Sequence, residues 1–318
     1  MIHTFLIFLL FGAGLFFIIR GGDMFVDAAA RIAEISGIPP FVIGATVVSV
    51  ATTLPELLVS VMAAVNGQSD MAAGNAVGSV TANTALILGM VILLAPAAIS
   101  RGMFLRKTLM LLAAIILLWA FSFGGSLGVV GSCVMLCLFA YYLYETLTEA
   151  KARLGESDPM PVKRGEGLRN ALSFILGAAA ITVGSRMLVD NGTVIARDIL
   201  HVDERVISLT LLAVGTSLPE LVTAVSAVTK KQTALTAGNI LGADIIDALL
   251  ILPVCSLIRG GLPIDESTVL IDLPVCLFAA LVTLVPAIIR RRLSRWQGVS
   301  AVLIYILYLT KICFSIVF

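Results

Sequence analysis

Val50–Ser60 reads VATTLPELLVS, and Ala213–Thr223 reads AVGTSLPELVT. Each places hydroxyl residues, a proline and a glutamate inside a run that is otherwise apolar. A helix breaker beside a carboxylate is costly in such a setting, and the chain carries the combination twice. Working outward from these two words fixes the rest of the reading.

The surroundings are those of a membrane. The chain has 318 residues, 59% of them hydrophobic and 13% charged. Soluble domains carry about 25% charged residues, so the composition predicts an all-α polytopic membrane protein. The net charge of +1 implies no bulk electrostatic partner. No basic domain or interleaved aromatic platform suggests nucleic acid. The five cysteines lie in apolar runs and read as small buried hydrophobes. The only histidines are His3 and His201, and no zinc spacing is present. The first apolar stretch, Phe5–Ile19, lacks a basic leader and a small-residue cleavage site, so a retained helix is expected there.

Apolar segments long enough to span occur at about 4–20, 41–65, 72–96, 106–123, 127–145, 169–189, 206–229, 235–258, 268–289 and 297–317. The longest polar stretch, roughly Glu145–Asn170, separates five from five. The halves match. A shift of 164 lays Thr52-Thr53-Leu54-Pro55-Glu56-Leu57 on Thr216-Ser217-Leu218-Pro219-Glu220-Leu221. Without a gap, Gly74-Asn75 then falls on Gly238-Asn239, Gly78 on Gly242 and Asn83 on Asp247. Five spans per half is an odd number, so the second half must enter the membrane in the opposite sense. The expected fold is ten transmembrane helices in two inverted-topology five-helix repeats, residues 1–145 and 169–318, joined by a 146–168 linker. Such repeats are a mark of secondary transporters.

Charge sets the orientation. With the N-terminus outside, sixteen of the 21 Lys and Arg residues fall in inner loops, among them Arg20, Arg31, Arg106 and Lys107. Outer loops hold only Arg186, Arg197, Arg205 and Arg259. The positive-inside rule puts both termini outside and the linker in the cytoplasm.

Most acidic residues fall in loops or at span ends. Glu56, Glu220, Asp244 and Asp247 lie well inside spans. A charge at the bilayer centre costs about 2.5–3.5 kcal/mol even on the lenient insertion scale. No Lys or Arg lies at comparable depth to pair with them, so bound cations are the expected compensation. Pro55 cannot donate to the carbonyl of Ala51, nor Pro219 to that of Gly215, and each ring pushes the preceding turn open. Freed carbonyls at membrane depth must be satisfied by protein, water or an ion. Thr52, Thr53 and Glu56 lie within one helical turn, as do Thr216, Ser217 and Glu220; Ser79 and Asn83 share a face. The Gly-x-x-x-Gly pairs Gly74/Gly78 and Gly238/Gly242 are read as close helix packing. The donor set is all oxygen. Such a dehydrated site favours Ca²⁺ and Na⁺ over Mg²⁺, and without His or Cys it does not suit transition metals.

At these residues the sequence resembles the calcium/cation antiporter superfamily, in its prokaryotic sodium/calcium exchanger branch. The resemblance rests on ATTLPE with GNAVGSVTAN in the first half and GTSLPE with GNILGADIID in the second. These match the two alpha-repeats of that family, here about 41–96 and 206–258. The resemblance implies a cation site halfway through the membrane. Glu56 and Glu220 match its central carboxylates. Thr52, Thr53, Thr216 and Ser217 match the hydroxyl and carbonyl ligands before them. Ser49 and Ala213 match positions whose backbone carbonyls bind Na⁺, and Ser79, Asn83 and Asp247 match polar positions on the third and eighth spans. It also implies exchange of Ca²⁺ for Na⁺ by alternating access in a prokaryotic inner membrane, with no covalent cofactor and no enzymatic activity.

The sequence departs from the family pattern at Gly242-Ala243-Asp244, where glycine-serine-asparagine is usual; a hydroxyl is lost and an acid gained. Val80 stands where asparagine is common and Thr53 where serine is. Three or four carboxylates exceed the two that offset one Ca²⁺. Desolvation and like charge both favour protonating an extra carboxylate, so proton coupling and potassium dependence stand as alternatives to sodium. An intramembrane aspartyl hydrolase also buries paired acids, but its Gly-x-Gly-Asp word is missing. A passive channel fits inverted repeats poorly.

Overall fold

In lipid every backbone N–H and C=O must be satisfied within the protein, and this chain meets that demand almost wholly with helices. The computed structural model describes residues 2–153, 165–200, 215 and 217–317. Among the described residues ten helices follow one another: α1 (Ile2–Ser36), α2 (Pro40–Val65), α3 (Ser69–Leu94), α4 (Arg101–Ser122), α5 (Val129–Arg153), α6 (Glu166–Ile199), α7 (Leu218–Thr229), α8 (Thr233–Arg259), α9 (Thr268–Arg290) and α10 (Arg295–Val317). Eight of them, α1–α6, α8 and α9, are long and apolar enough to cross a membrane. α7 is shorter among the described residues, and the segment before it, including Ala213 and Thr216, lies outside them.

Several helices outrun the expected spans. α1 continues to Ser36, so Arg20 and Arg31 sit on a helix rather than in a loop. Arg106 and Lys107 likewise lie within α4. α5 runs to Arg153 and α6 starts at Glu166, so both ends of the expected 146–168 linker are helical. Hydropathy marks the part of a helix that lipid covers; hydrogen bonding carries the helix on into water. Cys133 and Cys137 are exposed on α5, against the expectation of burial, whereas Cys255 and Cys276 are buried.

The ladder of hydrogen bonds loosens into π turns at Gly44–Val48 in α2, Ala82–Ile87 in α3 and Asp247–Ile251 in α8. Turns of this kind recur at functional sites because each displaces the side chains that follow it. The turns in α3 and α8 occupy equivalent places under the 164-residue shift, and they carry Asn83 and Asp247. α2 runs as an α-helix from Ser49 to Val65 with Pro55 inside it, so the helix continues past the bond that the proline cannot give to Ala51.

α3 and α8 form the centre. In their most apolar windows 72% and 83% of residues are buried, against 28% in α1, α5 and α6, which ring the outside. α8 presses on α2 with no room for a side chain. A Cβ on Gly238 would stand 2.0 Å from the Phe41 carbonyl oxygen, and one on Gly44 2.1 Å from that of Leu235. Gly242 is held less closely, its Cβ position 2.6 Å from Ser49 Oγ. A Cβ on Gly74 or Gly78 meets nothing among the described residues, so the packing role expected of this pair falls on residues outside them. Their symmetric partners would be residues 205–213, which are outside that set.

Two short extended contacts tie the loops. Ser126–Leu127 pairs antiparallel with Leu262–Pro263, and Ala98 bridges to Arg292. Under the same shift Ala98 falls on Leu262 and Leu127 on Arg291, so the two contacts are near-counterparts.

Candidate cation site

The site is built where α2, α3, α7 and α8 meet. Glu56 and Glu220 are each 1% exposed, and Asp244 and Asp247 are fully buried. The carboxylates form one electrostatic group: Glu56 feels Glu220 and Asp247, and Asp247 feels Asp244 and Glu220. No ion pair among the described residues engages any of the four. Among the described residues, both carboxylate oxygens of Glu56, Glu220 and Asp247 lack a hydrogen-bond partner, as do Asp244 Oδ1, Thr53 Oγ1, Ser79 Oγ, Asn83 Oδ1 and Ser217 Oγ. Buried polar groups are nearly always satisfied, and an uncompensated buried carboxylate costs several kcal/mol. So many orphaned oxygens on adjoining turns are acceptors for something that brings positive charge.

The hydroxyls of Thr52 and Ser49 and one oxygen of Asp244 are already engaged. Thr52 Oγ1 donates to Asn239 Oδ1 (3.2 Å) and lies 3.4 Å from the Ser49 carbonyl. Ser49, fully buried, turns its hydroxyl to the Thr46 carbonyl (3.0 Å). Asp244 Oδ2 accepts from Thr84 Oγ1 at 2.5 Å, a contact from α8 to the π turn of α3. Ser217 stands at the start of α7, with Pro219 and Glu220 in its first turn. Among the described residues no three acidic, His or Cys side chains converge as a ready-made metal cage. The donor set is instead spread over carboxylates, hydroxyls and an amide.

Three residues outside the expected set prove to be part of this network. Asn239 joins the halves, with its Oδ1 on Thr52 and its Nδ2 3.4 Å from Thr223 Oγ1. Asn75, its counterpart, stays within the first half, donating to Ser60 Oγ (2.9 Å) and to the Glu56 carbonyl (3.4 Å). Thr84 is the third. The repeat had already aligned Asn75 with Asn239; that they hold the motif helices from the side is a matter of packing. A cavity of about 120 Å³ abuts the two proline steps, lined by Pro55, Val59, Ser185, Arg186, Asp190 and Pro219 among others.

Apolar helices that loosen into π turns around buried acids, with no counter-charge among the described residues, define an integral membrane protein whose centre suits hard cations. The model of the family described as sodium/calcium exchanger protein matches residues 6–147 and 169–314, one match in each half. The chain belongs to that family, whose members are cation antiporters and not enzymes. It is 30% identical over 341 residues to the sodium/calcium exchanger MaX1 of Methanosarcina acetivorans, covering 95% of this chain and 97% of that one. It is 34% identical over 257 residues to the inner membrane protein YrbG of Escherichia coli, covering 78% of each. The solved structure of the sodium-calcium exchanger NCX_Mj, soaked with Na⁺ and Sr²⁺, superposes with a TM-score of 0.85 at 28% identity, over 96% of this chain and 99% of that one.

Proposed function

We propose that the protein exchanges Ca²⁺ for Na⁺ across a prokaryotic inner membrane by alternating access, through two five-helix repeats of inverted topology. The observation that carries the reading is the group of buried, unpartnered carboxylates contributed by both halves: Glu56 from one, Glu220 and Asp247 from the other. Two carboxylates offset one Ca²⁺. The same oxygens serve Na⁺ when Ca²⁺ has left, so the two ions compete for one place and each drives the other out. Thr52, Thr53, Ser79, Asn83 and Ser217 supply neutral oxygens, with Thr216 and the carbonyls of Ser49 and Ala213 completing the set. The inverted repeat is supported by the matching π turns of α3 and α8 and by the paired loop contacts. The cavity beside Pro55 and Pro219 is the natural approach to the two glutamates. The charge bias assigns both termini to the outside.

The coupling ion is tested directly. In proteoliposomes, an imposed Na⁺ gradient drives ⁴⁵Ca²⁺ uptake, and gradients of K⁺ or pH alone do not. Uptake that follows a pH gradient and ignores Na⁺ would overturn sodium coupling in favour of proton exchange. Asp244, an acid with a single hydroxyl partner, is the residue that would then carry the proton.

A further inference from the structure

A second ionic cluster lies at the ends of α4 and α5. Arg106 Nε meets Glu145 Oε1 at 2.9 Å, and its Nη2 donates to Glu149 Oε1. Lys107, 1% exposed, donates to Glu145 Oε2 and Thr146 Oγ1 and stands 4.7 Å over the Tyr142 ring. Two cations and two carboxylates make the cluster neutral. Two acceptors in it lack a hydrogen-bond partner among the described residues: Glu145 Oε1, which is in ionic contact with Arg106, and Glu149 Oε2, which has no such contact, on a residue only 8% exposed. Glu149 lines an open cavity of about 400 Å³ together with Arg106, Tyr141, Tyr144, Glu145 and Thr148.

The lining selects a ligand. An orphaned, buried carboxylate oxygen calls for a charged N–H donor. Arg106, with 53% of its side chain exposed, commits two of its five N–H groups to the glutamates and has the others free for an anionic acceptor. A neutral cluster gives no advantage to a net charge, so the ligand joins an ammonium to an anion. Helical rise of about 1.5 Å per residue puts Tyr144–Glu149 roughly 22–30 Å from Val129, at the edge of a hydrocarbon core about 30 Å thick. Tyr141, Tyr144 and Leu147 are 56%, 68% and 56% exposed there, as interfacial tyrosines are where they meet lipid headgroups.

We propose that this groove binds phosphatidylethanolamine, with the ammonium on Glu149 against the Tyr144 face and the phosphate on Arg106. A choline headgroup lacks the N–H donors, and phosphatidylglycerol lacks the ammonium altogether. The test is native mass spectrometry of the whole protein in micelles holding equal amounts of phosphatidylethanolamine, phosphatidylcholine and phosphatidylglycerol. The ethanolamine lipid is expected as the dominant single adduct, about fivefold or more above the others, and Glu149→Gln lowers it by about the same factor, the loss of one charge-assisted hydrogen bond. Equal adducts of the three lipids, or an unchanged adduct in Glu149→Gln, overturn the proposal. Tyr144→Leu changes only an exposed ring and guards against a folding defect in the first variant; it lowers the adduct about two- to threefold through the lost cation–π contact, and no change there also counts against the site. Displacement of the lipid by millimolar O-phosphoethanolamine would overturn the lipid in favour of a soluble zwitterion.

Discussion

The two TLPE words differ in where their helices begin. Pro55 lies in the interior of an unbroken helix, six residues after Ser49, whereas Pro219 lies in the first turn of α7, two residues after Ser217. In the first turn a proline gives up an N–H that has no helical partner anyway. In the interior it removes one bond and crowds the turn before it. The glutamates that follow are nonetheless equally buried and equally unpartnered. One motif thus stands in two helical settings, and what the repeat preserves is the burial of the carboxylate, not the course of the backbone.

The strongest challenge to that equivalence is to remove each charge in turn. Glu56→Gln and Glu220→Gln should each cut Ca²⁺ transport by two orders of magnitude or more, since removing one partner of a buried charge pairing costs roughly 3–5 kcal/mol. Monodisperse elution must persist; ⁴⁵Ca²⁺ uptake retained by either variant would break the pairing. A Cβ at Gly238 has no room, so Gly238→Ala should destabilise by about 1–3 kcal/mol or more. If residues 205–213 pack on α3 as 41–49 pack on α8, Gly74→Ala is expected to be comparably harmful in thermal unfolding. A harmless Gly74→Ala would count against the inverted repeat.

The prolines give a smaller and opposite pair of effects. Pro55→Ala restores a helix bond and should raise the melting temperature by roughly 2–4 °C per kcal/mol recovered, while slowing turnover. Pro219→Ala should leave both nearly unchanged, as measured by thermal unfolding and initial uptake rates. Least in size, Asp244→Asn keeps an acceptor for Thr84 but removes a charge. It should change uptake severalfold in its dependence on pH or on the driving ion; an identical profile would show that Asp244 does not take part in the exchange.

Much of this was legible in the chain. A carboxylate in an apolar run is visible in one dimension, because its cost does not depend on what packs nearby, and the doubling of ATTLPE and GTSLPE exposed the repeat. Less legible were Thr84 and Asn239, whose partners stand 160 and 187 residues away. The π turns carry no clear composition signal, and Lys107 looked like a loop cation until the structure paired it with Glu145.

By itself, then, the sequence determined that the protein spans a membrane with all-oxygen polar groups buried in two related segments, because hydrophobicity, charge cost and proline geometry are local properties. Only the tertiary structure decided which hydroxyls and amides stand beside those acids, that Pro55 bends no helix apart, and that Gly238 rather than Gly74 touches a described neighbour. Those outcomes depend on the register of one helix against another, and a helix fixes its own hydrogen bonds without fixing what it packs against.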